Sequence, residues 1–117
     1  MPFKSPSSAL PLTPVAFEIL LALSASDLHG YAILQEVERR AGSSVPLRTG
    51  TLYRALARLL EDGLIEERPS PAGETDERRR YYRLTDHGRA TLSAEARRLA
   101  DQVAAARAHR LLPKEHK

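Results

Sequence analysis

Arg54 and Arg58 stand four residues apart, and Arg78, Arg79 and Arg80 follow one another directly. A guanidinium is a planar fork of N–H donors without an acceptor. Its natural partners are carboxylates, phosphates and the edge of guanine, which it meets through two donors at once. On a helix, a spacing of four puts Arg54 and Arg58 on one face, with Thr49, Thr51 and Tyr53 near its leading end. Three consecutive cations repel one another unless something negative is near. Both groups therefore suggest anion recognition. Each also has a plainer reading, because outward arginines are commonly just solvated. The acidic residues Glu61, Asp62, Glu66, Glu67, Asp76 and Glu77 share the same stretch and nearly cancel its charge. A polyanion-binding surface requires the fold to put the two signs on different faces.

Other chemistries find little support. There is no cysteine, which removes disulfides, thiolate ligands and cysteine nucleophiles. His29, His87, His109 and His116 lie in unrelated contexts without metal-ligand spacing, and neither a nucleophile motif nor a glycine-rich phosphate loop accompanies them. No catalytic site, metal or cofactor is expected. The formal charge of +3 is too small to identify a partner by itself. At 117 residues, with 42% hydrophobic and 28% charged residues, the chain has the composition of one soluble domain. The longest apolar run, around Ile19 to Leu23, is too short to cross a bilayer, and no leader precedes it, so a cytoplasmic protein is expected.

The elements that must position the arginines can be read in order. Residues 1–12, with Pro2, Pro6 and Pro11 among serines, read as a flexible arm. Thr13-Pro14 is a helix start, and Val15, Phe17, Ile19, Leu20, Leu21 and Leu23 surround a short, largely buried helix. Asp27 is placed to cap a second helix running to about Arg40, with Tyr31, Ile33, Leu34 and Val37 inward and Gly42 as its stop. Pro46 keeps the link before the third helix extended. Thr49 or Thr51 can cap that helix, whose stripe Leu52, Leu56, Leu59 and Leu60 points to the core and ends at Gly63. Leu64 to Arg68 and Arg79 to Leu84 form a hairpin around a Pro, Gly and acid-rich loop, with Tyr82 and Leu84 on its inner side. Thr85 caps a long final helix with Asp86 in its first turn.

Three helices followed by a hairpin make a winged helix-turn-helix, mainly α with a small β-hairpin. This domain covers residues 13–85, followed by a helix over 86–112 and a tail over 113–117. In this arrangement the third helix is presented to the DNA major groove and the hairpin to the backbone or minor groove. Along the last helix Leu92, Ala96, Leu99, Val103 and Ala106 repeat at four and three residues, a narrow seam suited to close packing against a copy of itself. A homodimer would set two third helices about 34–36 Å apart, on an approximately palindromic site in double-stranded DNA. Two other readings stay open. A winged helix also serves as a protein-docking module, although its outer face should then be apolar or acidic. RNA binding lacks the paired aromatic platform of the common sheet-based modules.

Four blocks of the sequence then resemble, in order, the PadR family of bacterial transcriptional regulators. Leu12-Thr13-Pro14 leads into Ile19-Leu20-Leu21-Ala22-Leu23, and Leu28-His29-Gly30-Tyr31-Ala32-Ile33 follows. The third block runs from Gly50-Thr51-Leu52-Tyr53-Arg54-Ala55-Leu56-Ala57-Arg58-Leu59 to Gly63-Leu64-Ile65, and the fourth is Arg78-Arg79-Arg80-Tyr81-Tyr82-Arg83-Leu84-Thr85 with Gly88. The similarity spans roughly Leu12 to Leu112 and looks like the branch with a single C-terminal helix. It implies a regulator, commonly a repressor, whose dimer leaves an inverted-repeat operator when a small aromatic or lipophilic effector binds. The final helix, however, has no aromatic residue to stack on such a compound. The resemblance implies that Tyr31, Arg48, Thr49, Gly50, Thr51, Tyr53, Arg54 and Arg58 contact DNA or support contacts, and that Arg78, Arg79 and Arg80 serve the wing. Gly50 has the alternative role of permitting a tight turn, Tyr31 and Tyr53 could be core residues with a wet hydroxyl, and His29 could act only as a local cap.

Overall fold

The computed structural model of the chain describes residues 10–71 and 79–113. Four helices and three short strands follow in the order α1 (Pro14–Leu23), β1 (Leu28–His29), α2 (Gly30–Ala41), α3 (Thr49–Glu61), β2 (Ile65–Arg68), β3 (Tyr81–Leu84) and α4 (Asp86–Ala108), with a single 3-10 turn at Gly42–Ser44 after α2. The arrangement is the expected winged helix with a long C-terminal helix.

The local signals act much as their chemistry demands. Thr13 Oγ1 accepts the Ala16 amide at 3.1 Å, and Pro14 occupies the first turn of α1, where its missing donor costs nothing. Ile19, Leu20 and Leu23 of α1, Ile33 and Val37 of α2, and Leu52, Leu56 and Leu59 of α3 meet in one core. Gly42 takes a φ of 55° where α2 ends, and Gly63 one of 74° after α3; neither conformation suits a side chain.

Several local expectations are corrected. Asp27 does not cap α2, and His29 does: its Nδ1 accepts the Ala32 amide at 3.2 Å. Asp27 instead faces Arg83 at 4.0 Å. Neither Thr49 nor Thr51 caps α3; Arg48 occupies the cap position, with no hydrogen bond from its side chain to the helix. Tyr31, expected on the inward stripe of α2, is instead 60% exposed.

The sheet has the order β1-β3-β2, antiparallel throughout. β2 and β3 are the anticipated hairpin, in which Ile65 opposes Leu84 and Glu67 opposes Tyr82. β1 was not anticipated. Two residues carry no alternation to read, and the pairing of Leu28 with Tyr82 and His29 with Tyr81 is a tertiary event. Tyr82 and Leu84 turn inward as expected, while Arg83 faces outward.

α4 is joined to this body at one tight seam. The Thr85 amide donates to the Leu64 carbonyl at 3.1 Å. Its hydroxyl donates to the Gly63 carbonyl at 2.7 Å and accepts the Gly88 amide at 2.9 Å, so one side chain caps α4 and ties it to the turn after α3. Gly88 lies so close to that turn that a Cβ would fall 1.9 Å from the Leu64 oxygen and 2.9 Å from Leu84 Cδ1. Only a residue without a side chain fits there.

Farther along α4, Leu92 belongs to the core at 7% exposure, not to a free seam. Glu95, 1% exposed, accepts the Leu12 amide at 2.7 Å and Arg98 Nη2 at 3.1 Å. Leu12, read with residues 1–12 as part of a flexible arm, packs on the core, and residues 1–9 of that arm lie outside the described residues. The Arg98 guanidinium holds the Glu95 carboxyl below its ordinary value, aided by the Leu12 amide and opposed by burial.

Two outcomes follow. Gly88→Ala should destabilise the fold by roughly 3 kcal/mol or more, because the obstructing atom is backbone; differential scanning calorimetry should show a midpoint lowered by more than about 10 °C. Glu95 binds its proton more weakly folded than unfolded, so its stabilisation is present near neutral pH and disappears as the pH falls through the carboxylate range. Urea midpoints of Glu95→Gln should accordingly lie below those of the parent at pH 7 and converge with them below about pH 4.

Candidate nucleic-acid interface

The leucine stripe of α3 lies in the core, so its opposite side must face outward. Arg48, Thr49, Gly50, Tyr53, Arg54 and Arg58 are all exposed, and Thr51 is half-buried at the margin. Arg58 Nε meets Asp62 Oδ2 at 3.3 Å one turn on, but the arginine side chain remains 74% exposed. Such a surface pair is weak and leaves donors for another acceptor. Arg54 forms no ion pair among the described residues; its Nη1 comes within 3.9 Å of a Cβ built on Gly50, so the guanidinium folds back over the first turn of the helix.

The expected site residues divide into two neighbouring groups. Thr51, Arg54 and Arg58 lie on the wall of an open cavity of about 750 Å³, whose other side is formed by Leu10 to Thr13, Ala16 and His87. Tyr31, Tyr53, Arg79 and Arg80 surround a second hollow of about 310 Å³ between the start of α2, α3 and the base of the wing. Tyr53, 51% exposed, leans across Gly30: a Cβ on that glycine would be 2.8 Å from the Tyr53 hydroxyl. Gly30 therefore does more than begin a helix, since it leaves room for the tyrosine of the next one.

On the wing, Arg80 Nη1 lies 3.6 Å from Glu67 Oε2 across the β2–β3 pair, with both side chains well exposed. Arg79 Nη1 is 3.1 Å from His29 Nε2, and the His29 ring stands edge-on to Tyr81 with centroids 5.3 Å apart. Arg78 falls outside the described residues. Burial, reinforced by the Glu67 charge, raises the Tyr82 phenol and keeps it a neutral part of the core beneath this hollow. The positive groups thus line the outer side of α3 and the wing base. The acidic neighbours Asp62 and Glu67 sit at the margins as local partners of Arg58 and Arg80.

On the sequence, His29 with Gly30 beside it carries two readings, a local turn or cap and a DNA contact. Their position opposite Tyr81 and under Tyr53 depends on β1, which has no legible pattern. The expected subunit seam lies elsewhere: Leu99 and Ala106 are half-buried, Ala96 is exposed and Val103 is 40% exposed, all beyond or beside the last buried turn of α4. Among the described residues, no three metal-ligating side chains are grouped to hold an ion, and no helix is long and apolar enough to cross a membrane.

Comparison with known proteins agrees with this arrangement. The model of the transcriptional regulator PadR-like family matches residues 19–94. An uncharacterized protein of Lysinibacillus sphaericus is 35% identical over 75 residues, covering 64% of this chain and 68% of that protein. A PadR family transcription regulator from Clostridium difficile R20291 has a similar structure, with a TM-score of 0.73 and 28% identity over 83% of this chain and 98% of that one. Bacillus subtilis PadR, solved in complex with operator DNA, gives a TM-score of 0.61 at 27% identity, over 70% of this chain and 46% of its own longer one.

Proposed function

The chain belongs to the PadR-like family of transcriptional regulators, and from this premise we propose that it is a sequence-specific DNA-binding repressor, acting in the cytoplasm as a homodimer on an inverted-repeat operator. The observation that carries this reading is the exposure of Arg54 and Arg58 on the helix beside a wing whose base carries Arg79 and Arg80. The capture of a relative, Bacillus subtilis PadR, on operator DNA supports it.

In this mechanism α3 enters the major groove. Arg54 and Arg58 reach base edges, Arg48, Thr49, Gly50 and Thr51 approach phosphate at the leading end, and Tyr31 and Tyr53 support the flank. Arg79 and Arg80, with Arg78 before them in the sequence, supply attraction that is blind to sequence and sensitive to salt. The far half of α4 supports the dimer. From Ala100 to Ala105 every residue of the helix is exposed, and Leu99, Val103 and Ala106 supply small apolar surface along it. Leu92 contributes only by anchoring the near half.

Release by a small aromatic or lipophilic effector completes the proposal. The cavity beside Arg54 and Arg58 is of ordinary ligand size, with Leu10, Leu12, Leu59 and Leu64 among its apolar walls. A compound held there would occupy the same guanidinium groups that the duplex needs.

Selection of bound fragments from a genomic or random duplex pool should return an inverted repeat; a pool recovered without enrichment or symmetry refutes the reading. On the selected site, Arg54→Ala should cost about 1–3 kcal/mol and relax preference at one base pair per half-site, whereas Arg79→Ala should weaken all duplexes alike and reduce the salt slope by about 1. For the dimer, Leu99→Asp with Val103→Asp should give monomers in sedimentation velocity and lose operator binding by at least about 100-fold.

A further inference from the structure

Gly30 opens α2 directly after the cap residue, and its backbone gives no reason for a glycine. Gly42 and Gly63 take a positive φ, and Gly30 does not. At a helical position that any residue can adopt, glycine is a cost, because it loses more backbone freedom on folding than alanine does. The reason lies on the neighbouring helix. A Cβ on Gly30 would stand 2.8 Å from the Tyr53 hydroxyl, 3.3 Å from Cζ and 3.5 Å from Cε1 of that ring. These nearest atoms all belong to one side chain, and they are its far end. At Gly88 the obstructing atom is the Leu64 carbonyl oxygen, so the backbone itself would have to move. At Gly30 a turn of the Tyr53 ring, which is 51% exposed, is enough.

What would move is a group on the outer side of α3. Leaning across Gly30, Tyr53 walls the hollow of about 310 Å³ together with Tyr31, Arg79 and Arg80. The bare Gly30 lets the phenol rest on the first turn of α2, with its hydroxyl held beside this hollow. The hollow lies between α3 and the wing base, the two elements that flank one strand of the duplex in the reading above. Groups placed there meet the sugar-phosphate backbone, and a tyrosine hydroxyl is among the donors that bond to it. A phenol has only two side-chain torsions, so fixing the ring fixes the hydroxyl. A donor held in place before binding loses little freedom when it binds.

We propose that Gly30 is a positioning residue for DNA binding: carrying no side chain, it lets the Tyr53 phenol lie over the first turn of α2 and so aims the hydroxyl at one backbone phosphate of each operator half-site. This inference rests on the DNA-binding reading and extends it to a residue of α2 that acts only through its neighbour. The helix forgoes the stability an alanine would add, and the interface gains a tyrosine already in place.

The test is Gly30→Ala, in which stability and binding should part company. Its melting temperature should equal that of the parent or exceed it by up to about 5 °C, as for a glycine replaced where alanine fits the backbone. Its affinity for the selected operator and for unrelated duplex should fall together by about tenfold, the effect of losing a hydrogen bond to a charged group. The salt slope should stay that of the parent, because no cation is removed. Tyr53→Phe should lose the same factor, and adding Gly30→Ala to it should cost less than about twofold more, whereas independent sites would multiply their losses to about a hundredfold. Methylphosphonate replacement, one phosphate at a time, should reveal a position in each half-site that weakens the parent but leaves both single variants indifferent. Binding by Gly30→Ala or by Tyr53→Phe within about twofold of the parent, single losses that multiply, or a melting temperature of Gly30→Ala lowered by more than about 5 °C would each overturn the role of Gly30. So would a methylphosphonate profile that the variants share with the parent. In all these cases the parent still binds duplex. A parent chain that binds no duplex overturns the DNA-binding reading as well.

Discussion

Gly88 packs against the carbonyl of Leu64 too closely for any side chain to fit between them, and much of the architecture follows from it. The missing side chain lets the first turn of α4 sit on the turn that ends α3, and Thr85 locks the two with hydrogen bonds to Gly63, Leu64 and Gly88. Interiors are close-packed, so a contact this short allows little variation in angle. The direction of α4 is thereby set relative to α3. In a dimer built along α4, the same contact would determine how far apart and at what tilt the two exposed faces of α3 are held. A glycine remote from any ligand thus governs the geometry by which a ligand would be recognised.

The second constraint is the anchoring of α4 at its middle. Glu95 is almost wholly enclosed, which is costly for a carboxylate unless hydrogen bonds replace water. The Leu12 amide and the Arg98 guanidinium do so. The result ties residues 10–12 to α4, and those residues form one wall of the cavity that reaches Arg54 and Arg58. The segment before α1, the long helix and the outer face of α3 therefore share a common boundary. Any molecule entering that cavity would touch all three.

Charge separation is the third constraint, because a net charge of +3 does not by itself create a polyanion surface. The fold engages part of the opposing charge in local pairs. Asp62 and Glu67 neutralise part of Arg58 and Arg80 from the side, Asp27 faces Arg83, and Glu95 takes Arg98 inward. Arg54 is left on the outer face of α3 without an ionic partner among the described residues. The tyrosines Tyr31 and Tyr53 fill the space between this face and the wing, presenting hydroxyls where an aliphatic residue would only cover surface.

Much of this was legible in the residues. The leucine stripe of α3, the Thr13-Pro14 and Thr85 caps, the stops at Gly42 and Gly63 and the alternation of Tyr82 and Leu84 are short-range patterns, and each produced the element it implied. Outward presentation of Arg54 and Arg58 followed from the same periodicity, since a leucine face in the core leaves its opposite side in water. Other features depended on distant partners. The two-residue β1 exists only because β3 is beside it, His29 displaced Asp27 as the cap once β1 placed it, and Leu92 went to the core because α4 docks at Gly88. Periodicity is local and survives in the sequence, so it determined the helices, their buried faces and the side on which the cations lie. Contacts between residues far apart in the chain have no such signature; the tertiary structure alone decided where those faces meet, which side chains are enclosed between them, and which tyrosine lies across Gly30.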